Sequence, residues 1–367
     1  MRAPPLDDQR LASRGTARSP SPAPDDVRRD GDVERFRRDV LEGLGGRPRT
    51  IPSVWFYDER GSQLFRRIMD LEGYYLTRCE REILALQGDR IAAPLQGRRC
   101  TVADLGAGDG AKTRLLLARL LRRTSGLAYA PIDVSASALA DACARTSREL
   151  PGLRIVPVAA EYSEGLRRLR ARPPGDVLLA LLLGSNIGNL ERPAATGLLR
   201  EIRAALRPGD HVLVGFDLLK DPGILRAAYD DRAGVTAAFN LNLLTRMNRE
   251  LGADLDPSAF EHRATLDPVR PAMESWLVSR RRQKVRVAGR AFLLAAGEAI
   301  HTEISCKYRE EDVTRFGGEA GFEEVGRLRD RRGWFLDALW RVPGEPVRAA
   351  RGPDVPAVPV EADGVAR

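Results

Sequence analysis

The sequence reads Thr101-Val102-Ala103-Asp104-Leu105-Gly106-Ala107-Gly108-Asp109-Gly110 where a short apolar run passes into a turn with three glycines. Residues 101–105 have the character of a buried strand, and the apolar spacing of residues 111–123 predicts a helix directly after the turn. Glycines at such a junction let the backbone approach a ligand closely and present amides at the positive end of the helix. We therefore expect a ligand site at the carboxyl end of this strand.

Two of these glycines, Gly106 and Gly108, are candidate cofactor-binding residues. Together with Ala111 they fit the dinucleotide spacing G-x-G-x-x-G/A. The glycines alone do not separate a nicotinamide cofactor from S-adenosylmethionine. A nicotinamide oxidoreductase is disfavoured because no set of hydride-transfer partners appears near the turn.

Apolar runs alternate with helical patterns from about Cys79 to Lys220, which is typical of a parallel sheet. Further strands are predicted over residues 127–132, 154–158, 177–183 and 212–216. The pattern returns in a helix over residues 311–318 and a strand over 334–342. The fold class is therefore α/β, a Rossmann-like, mostly parallel sheet with helices on both faces.

Residues 221–307 interrupt this alternation and form an insertion. Asp221-Pro222 is typical of a helix start, helices are predicted through Tyr229 and from 235 to 248, and strands over 284–287, 291–294 and 300–307. We expect residues 33–78 to pack with the insertion as a second α+β domain, in which Thr77-Arg78-Cys79-Glu80 forms a capping box. Residues 79–220 plus 308–342 form the sheet domain, and residues 1–32 and 343–367 are flexible tails.

Composition narrows the function classes. The chain has 367 residues, 43% hydrophobic and 30% charged, with a net charge of +8. Its longest apolar run, Val177–Leu183, is too short to cross a membrane, and no apolar stretch follows the first charges, so a cytoplasmic protein without a secretory signal is expected. Four separated cysteines predict neither disulfides nor a metal site. The dense basic cluster at residues 280–290 is interpreted as a solvated hairpin face.

Polar residues follow the other central strands. Asp133 closes the second strand, where a carboxylate can accept ribose hydroxyls or cap a helix. Lys112 lies in the first helical turn after the glycines, where an anionic ligand group would offset its unfavourable position, or where it is a surface lysine. Residues 184–189 form a small polar loop after the fourth strand. Glu303 and Ser305 share one face of a strand with His301 and Lys307, which by pattern alone favours the wet side of a hairpin.

Several motifs in order resemble one family, the S-adenosylmethionine-dependent L-histidine Nα-methyltransferases of ergothioneine biosynthesis. The likeness runs from about Trp55 to Trp340. Besides the glycine turn, the segments that carry it are Trp55-Phe56-Tyr57-Asp58, Gly73-Tyr74-Tyr75-Leu76-Thr77-Arg78-Cys79-Glu80, Pro131-Ile132-Asp133-Val134, Leu183-Gly184-Ser185-Asn186-Ile187-Gly188-Asn189-Leu190, Ala227-Ala228-Tyr229-Asp230-Asp231, Gly234-Val235-Thr236-Ala237-Ala238-Phe239-Asn240 and Thr302-Glu303-Ile304-Ser305-Cys306-Lys307.

The resemblance implies S-adenosylmethionine as the cofactor and L-histidine, with its methylated intermediates, as the small-molecule substrate. The cofactor positions of the family fall on Gly106, Lys112 and Asp133, and its acidic-aromatic pair beside adenine falls on Glu161-Tyr162. The amino-acid positions fall on Tyr57, Phe65, Tyr74, Asn189, Tyr229, Glu303 and Ser305.

Roles follow from the same resemblance. Asn189 and Tyr229 would hold the α-carboxylate and amine region, Glu303 and Ser305 would hydrogen-bond the imidazole, and Tyr57 offers an exit for the amine proton. The reaction implied is methylation up to trimethylhistidine (hercynine), the first step of ergothioneine biosynthesis, by a monomer without a nucleic-acid or membrane partner.

Two departures from the family leave other functions open. Ser275 stands where the family often has a methionine, and Asn186 replaces a threonine. The alternatives are an N-methyltransferase of another aromatic amino acid, an RNA-associated methyltransferase that uses the basic cluster, and a binding protein without catalysis.

Overall fold

The computed structural model describes residues 24–134 and 136–344, without the side chains of residues 24–30 and 136–138. The tails predicted at the two ends therefore lie largely outside the described residues. The first helix begins at Pro24, within the segment predicted as a tail. The ten α-helices in the described residues are α1 (Pro24–Gly45), α2 (Glu59–Met69), α3 (Tyr75–Ala92), α4 (Ala111–Arg123), α5 (Ala136–Glu149), α6 (Tyr162–Arg168), α7 (Arg192–Ala205), α8 (Pro222–Tyr229), α9 (Val235–Leu251) and α10 (Glu310–Glu319).

Fourteen strands accompany these helices in the described residues. They are β1 (Arg49–Thr50), β2 (Arg99–Leu105), β3 (Gly126–Asp133), β4 (Arg154–Ile155), β5 (Val158–Ala159), β6 (Val177–Leu182), β7 (His211–Asp217), β8 (Phe260–Asp267), β9 (Ala272–Ser279), β10 (Gln283–Val287), β11 (Arg290–Leu294), β12 (Ala299–Cys306), β13 (Glu323–Arg329) and β14 (Phe335–Arg341).

The large sheet has the strand order β13-β14-β7-β6-β2-β3-β4, with β5 also paired to β3. Strands β2 to β7 pair in parallel, and the hairpin β13-β14 joins β7 in antiparallel fashion. Helices cover both faces. The prediction of a mostly parallel α/β sheet, finished by the C-terminal part of the chain, is confirmed.

The packing of strand β6 explains why its sequence is apolar throughout. All six of its residues are buried. Val177, Leu179 and Leu181 pack in the core with α3 and α4, while Leu178, Ala180 and Leu182 pack in the core with α6, α7 and α10. A parallel strand with helices on both sides needs apolar residues at every position.

The third predicted strand, residues 154–158, is wrong as one element. The structure has two short strands, β4 and β5, separated by Val156 and Pro157. Proline has no backbone N–H to donate to the neighbouring strand, so ladder pairing is interrupted there.

A second sheet has the strand order β1-β12-β9-β8, and β10-β11 forms a separate hairpin. Strand β1 comes from the N-terminal segment and pairs in parallel with β12, which ends the insertion. One hydrophobic core contains Phe36 and Leu64 from the N-terminal segment together with Phe239, Leu277 and Ile300 from the insertion. The sequence analysis missed β8 and β9, whose polar positions conceal the alternation. The helix start at Asp221-Pro222 is confirmed, because the Asp221 side chain accepts hydrogen bonds from the amides of residues 223 and 224.

The predicted capping box at Thr77-Glu80 is wrong. Helix α3 begins at Tyr75, so Thr77 lies inside its first turn. The Glu80 carboxylate is fully buried and accepts a hydrogen bond from the Gly184 amide at 2.7 Å. It is therefore engaged with another element and does not cap its own helix. Along the described part of the chain, no helix combines the length and apolar character that a bilayer crossing requires.

Two helical glycines test how tightly the helices pack on the large sheet. A Cβ at Gly165 in α6 would lie 2.6 Å from Cγ2 of Ile132 on β3, whereas a Cβ at Gly197 in α7 would meet nothing within 4 Å. We expect Gly165→Ala to lower the free energy of unfolding by about 1–3 kcal/mol through overpacking, and Gly197→Ala to raise it by about 0.5–1 kcal/mol. Denaturant unfolding of both variants measures this, and equal values for the two would contradict the packing described.

Candidate functional site

The carboxyl ends of the parallel strands carry loops that meet at one edge of the large sheet. The glycine loop, residues 106–110, follows β2, and a second polar loop, residues 184–189, follows β6. Gly106, Gly108 and Gly110 all have positive φ, with values of 71°, 56° and 66°. Such angles are accessible to glycine at little cost, which explains why three of them are needed here.

Asp104, the penultimate residue of β2, precedes the glycine loop and forms hydrogen bonds that hold its neighbours in place. Its Oδ2 accepts hydrogen bonds from the hydroxyls of Thr113 on α4 at 2.7 Å and Tyr129 on β3 at 3.0 Å. Burial raises the pKa of Asp104 to about 6, although both hydrogen bonds lower it. The carboxyl group thereby holds the first strand, its helix and the neighbouring strand in register around the loop.

Tyr162 stands over the glycine loop. A Cβ at Gly106 would lie 2.6 Å from the Tyr162 hydroxyl and 3.5 Å from the Asn186 amide nitrogen. Burial, together with the charges of Asp133 and Asp104, raises the pKa of Tyr162 to about 12, so the phenol stays protonated. Three of the residues predicted for the cofactor, Gly106, Asp133 and Tyr162, thus lie close together at the sheet edge, and Asn186 lies beside them.

Glu161, the acidic neighbour of Tyr162, lies at the surface. Its carboxylate forms an ion pair with Arg35 at 3.1 Å, and both side chains are largely exposed. The adjacent Tyr162 is partly buried against the core of the large sheet, so the acidic-aromatic pair consists of one exposed and one partly buried side chain.

Lys112 is not the surface lysine that one interpretation of the sequence favoured. Its ammonium forms an ion pair with the buried Glu80 carboxylate and would lie 3.2 Å from a Cβ at Gly184. Asp337 on β14 is also fully buried nearby, and burial and the charge of Glu80 raise its pKa well above the usual range. Lys112 therefore lies between the glycine loop and residue 184 and already has an anionic partner from the protein.

A cavity lies beside this edge, between the two sheets. Its lining comes from the N-terminal segment, the loop after β6, helices α8 and α9, and strand β12. The lining residues are Tyr57, Phe65, Ile68, Tyr74, Leu76, Gly184, Ser185, Asn186, Asn189, Ala228, Tyr229, Thr236, Phe239, Glu303 and Ser305. All seven residues predicted for the amino acid are among them.

The aromatic wall of the cavity consists of Tyr57, Phe65, Tyr74 and Phe239. Tyr57 and Phe65 meet edge to face at 5.5 Å between ring centroids, Phe65 and Tyr74 at 6.2 Å, and Phe65 and Phe239 lie 5.8 Å apart. Such pairs are rigid and stabilise one another. Tyr57 is 45% exposed, so this wall also extends to solvent.

The polar wall of the cavity consists of Tyr229, Glu303 and Ser305. The Tyr229 hydroxyl donates to Ser305 Oγ at 2.7 Å, and the Ser275 hydroxyl donates to Glu303 Oε2 at 2.9 Å. Burial raises the pKa of Glu303, while the Ser275 hydrogen bond and the charge of Lys307 lower it. Burial also raises the pKa of Tyr229, which keeps its hydroxyl protonated.

The expectation of a wet hairpin face for the strand at residues 300–307 is wrong. Ser305 is 3% exposed, and Lys307 is buried as well. A register shift between His301 and Glu303 also breaks the predicted alternation, and His301 instead packs on Trp276 at 4.7 Å between ring centroids. The second sheet is covered by the large sheet at this point, so the polar face of β12 becomes a cavity wall.

Sequence analysis missed several groups of the site. Thr236 and Phe239 lie three residues apart on α9, a spacing that also fits an ordinary core helix. Ser275, which the resemblance places at the position of a methionine, was singled out from the sequence; it does not line the cavity but contacts the cavity residue Glu303. Within residues 24–134 and 136–344, no group of three or more His, Cys, Asp or Glu side chains is arranged to hold a metal ion.

The basic cluster on and before the β10-β11 hairpin lies away from this cavity. Its six cationic side chains, at residues 280, 281, 282, 284, 286 and 290, are exposed. Arg280 and Arg281 pair with Glu261 and Asp256 at 3.5 and 3.2 Å. The interpretation of this cluster as a solvated face stays a prediction.

The chain is similar to known proteins over most of its length. The profile of one family, described as "Histidine-specific methyltransferase, SAM-dependent", matches residues 36–342. The chain is 42% identical to a histidine N-alpha-methyltransferase of Mycolicibacterium smegmatis, over 83% of this chain and 94% of that protein. It is 40% identical to one of Mycobacterium tuberculosis, over 82% and 92% respectively.

A fungal relative, ergothioneine biosynthesis protein 1 of Neurospora crassa, is 31% identical over 76% of this chain and 32% of its own length. Fold, glycine loop and family match define the class as S-adenosylmethionine-dependent methyltransferases. Within that class, the chain belongs to the histidine-specific methyltransferase family.

Gly106 offers a direct test of the glycine loop. An alanine there is strained at φ 71° and brings its Cβ to 2.6 Å from the Tyr162 hydroxyl. We expect Gly106→Ala to raise the Kd for S-adenosylmethionine by about tenfold or more, since the left-handed conformation costs about 1–2 kcal/mol and Tyr162 must move. Isothermal titration calorimetry measures the Kd.

Gly152 provides the matched control, with φ 84°, no atom within 4 Å of an added Cβ, and a position in a turn away from the cavity. Gly152→Ala should lose stability but keep the wild-type Kd. The same loss of affinity in both variants would show that backbone strain alone, and not the loop's place in the site, weakens binding.

Proposed function

We propose that this protein transfers methyl groups from S-adenosylmethionine to the α-amine of L-histidine, up to trimethylhistidine (hercynine), the first step of ergothioneine biosynthesis. The observation that carries the proposal is the partly buried Glu303 carboxylate, which lines a cavity with aromatic rings next to the glycine loop. Besides Ser275, an apolar amino acid would add no hydrogen-bond donor to this carboxylate, whereas an imidazole N–H supplies one. The names of the mycobacterial and fungal relatives support the same reaction and pathway.

The residues around the glycine loop fit S-adenosylmethionine. The glycine loop leads into the positive end of α4, where the Ala111 amide donates to Asp109 Oδ1, and Asp133 ends the adjacent strand, where ribose hydroxyls bind in such folds. We assign Gly106, Gly108, Lys112, Asp133, Glu161 and Tyr162 to the cofactor. When bound, S-adenosylmethionine supplies a methyl group that its positive sulfur already activates.

The amino acid is proposed to lie between the two walls of the cavity. Glu303 and Ser305 hydrogen-bond the imidazole, while Asn189 and Tyr229 hold the α-carboxylate and amine region. Phe65 and Tyr74, from the aromatic wall, pack on the ring. This arrangement fixes the amine in place, and orientation of this kind accounts for most of the acceleration when the transferred group is already activated.

The amine must be neutral when its lone pair forms the new bond to carbon. Its proton leaves through Tyr57, which lines the cavity and is 45% exposed, or through water beside it. A strong base in contact with the amine is not required, since the amine loses its proton near its own pKa. Tyr57 and Asn189 are the residues that we place next to the reacting nitrogen.

We further propose two domains, with residues 33–78 plus 221–307 forming the substrate domain and residues 79–220 plus 308–342 the methyltransferase domain. The shared core of Phe36, Phe239 and Ile300 supports this division. We also propose a cytoplasmic monomer that acts without nucleic acid. The four cysteines are free thiols, which suits a reducing compartment.

The reaction is tested by incubating the purified protein with S-adenosylmethionine and a mixture of free amino acids, followed by mass spectrometry. Mono-, di- and trimethylated histidine are expected. Methylation of a different aromatic amino acid, with histidine untouched, would replace the proposed substrate. Absence of any methyl transfer would refute the proposed reaction, and a parallel sample without S-adenosylmethionine provides the blank.

Glu303 is expected to determine the affinity for histidine. Glu303→Ala removes a charged acceptor from the imidazole, so KM for histidine should rise about 10- to 100-fold while kcat changes much less. Glu274→Gln is the matched control, since Glu274 lies on the neighbouring strand, pairs with Arg270 at 3.2 Å and is outside the cavity. Initial rates at saturating S-adenosylmethionine measure both parameters. A Glu303→Ala enzyme with the wild-type KM would refute the assigned role.

A further inference from the structure

Lys307 lies directly behind the polar wall and is completely buried. Its ammonium donates to the Tyr229 hydroxyl oxygen at 2.8 Å and to Ser305 Oγ at 2.8 Å, and it pairs with Asp217 Oδ2 at 2.9 Å. The same nitrogen lies 4.6 Å from the centroid of the Tyr229 ring. A lysine ammonium has three N–H groups, and here each has one partner.

The carboxylate of Asp217, at the end of β7, forms ion pairs with two lysines. Besides Lys307 it pairs with Lys220, and it accepts a hydrogen bond from the Tyr75 hydroxyl at 2.8 Å. Lys220 also donates to the Tyr75 hydroxyl at 2.9 Å, but it has no contact with the polar wall. One carboxylate and two ammonium groups leave one positive charge in excess, and the charge of Lys307 acts on the Glu303 carboxylate.

The contacts of Lys307 determine what the two hydroxyls can offer a ligand. The Tyr229 and Ser305 oxygens each accept one hydrogen bond from Lys307, and they share a second hydrogen bond with each other. That shared bond uses one hydroxyl hydrogen, whichever way it points. The other hydroxyl hydrogen remains free, so the two hydroxyls together present one donor to the cavity. The hydroxyl oxygen that accepts the shared bond also accepts from Lys307, so both of its lone pairs are occupied.

A donor beside the Glu303 acceptor matches the neutral imidazole ring, which has one N–H and one unprotonated nitrogen. We propose that Lys307 is a positioning residue for histidine recognition, which orients the Tyr229 and Ser305 hydroxyls so that together they present one donor beside the Glu303 acceptor. The inference rests on the proposed function, because it concerns how that site distinguishes its amino acid.

Several groups besides Lys307 act on the Glu303 carboxylate. The interacting groups lie on the N-terminal segment, α8 and β9, and they are Tyr57, Tyr74, Tyr229 and Ser275. All three tyrosines stay neutral, because burial raises the pKa of Tyr74 and Tyr229, and the charge of Glu303 contributes to raising the pKa of the more exposed Tyr57. Lys307 is therefore the positive charge that holds the pKa of Glu303 down against burial.

Lys307→Met tests the inference. Because Lys220 continues to pair with Asp217, the substitution leaves a balanced ion pair behind the cavity. We expect KM for histidine to rise about 10-fold or more, with kcat and the Kd for S-adenosylmethionine changed less than about threefold. The acidic limb of the pH profile of kcat/KM should move up by about one pH unit, since Glu303 takes up its proton more readily.

Lys220→Met is the matched control, since it removes the other cation of Asp217 and leaves the three contacts of Lys307 in place. Its KM and acidic limb should stay at wild-type values. The imidazole of free histidine titrates in every sample, so the difference between enzymes reports on the protein. A merely structural role for Lys307 would lower the melting temperature without moving the acidic limb.

Lys307→Gln serves if Lys307→Met does not fold, because it keeps a polar donor and removes only the charge; it should show the same movement of the acidic limb. A folded variant of either kind with the wild-type KM and pH profile would overturn the inference. Methylation of histidine by the wild-type enzyme is measured first in the same assay. Its failure would reject the proposed function, and this result is distinct from an unchanged Lys307 variant.

Discussion

The edge of the large sheet depends on the buried carboxylate of Glu80. One oxygen accepts from the Gly184 amide after β6, and the other pairs with Lys112 in the first turn of α4. A carboxylate without these partners would be costly in the interior, so helix α3, the glycine-loop helix and the second polar loop are fixed together. Gly215 beneath it has no side chain, and a Cβ there would lie 2.4 Å from the Glu80 carboxylate.

The cavity combines two kinds of construction. Its aromatic wall belongs to the N-terminal segment and α9 and is held by ring contacts, whereas its polar wall is held by hydrogen bonds and a buried ammonium. Rings give shape with little loss of side-chain freedom, and the hydrogen-bonded groups give chemical selectivity. Ser275 belongs to the second kind, because its hydroxyl orients Glu303 where a methionine side chain could not donate.

Those parts of the fold and the site that follow local rules could be predicted from the sequence. The glycine loop is recognisable because positive φ angles need glycine, and β6 because burial on two faces needs an unbroken apolar run. Strands β8 and β9 were missed, and Glu80 was misinterpreted as a cap, because no local pattern tells a buried charge from an exposed one. Lys307 was placed on a wet face for the same reason, since its burial depends on what packs over β12.

The parallel pairing of β1 with β12 has a consequence for folding. Arg49 and Thr50 lie opposite Ile300 and His301, about 250 residues later in the chain. Closing so long a loop costs conformational entropy, and the stabilising contacts between the two strands form only after the loop has closed. During synthesis the parallel strands within residues 99–217 can pair before β12 has been made. Strand β1 of the N-terminal segment can pair only after that. The amino-acid cavity is therefore among the last parts of the molecule to form.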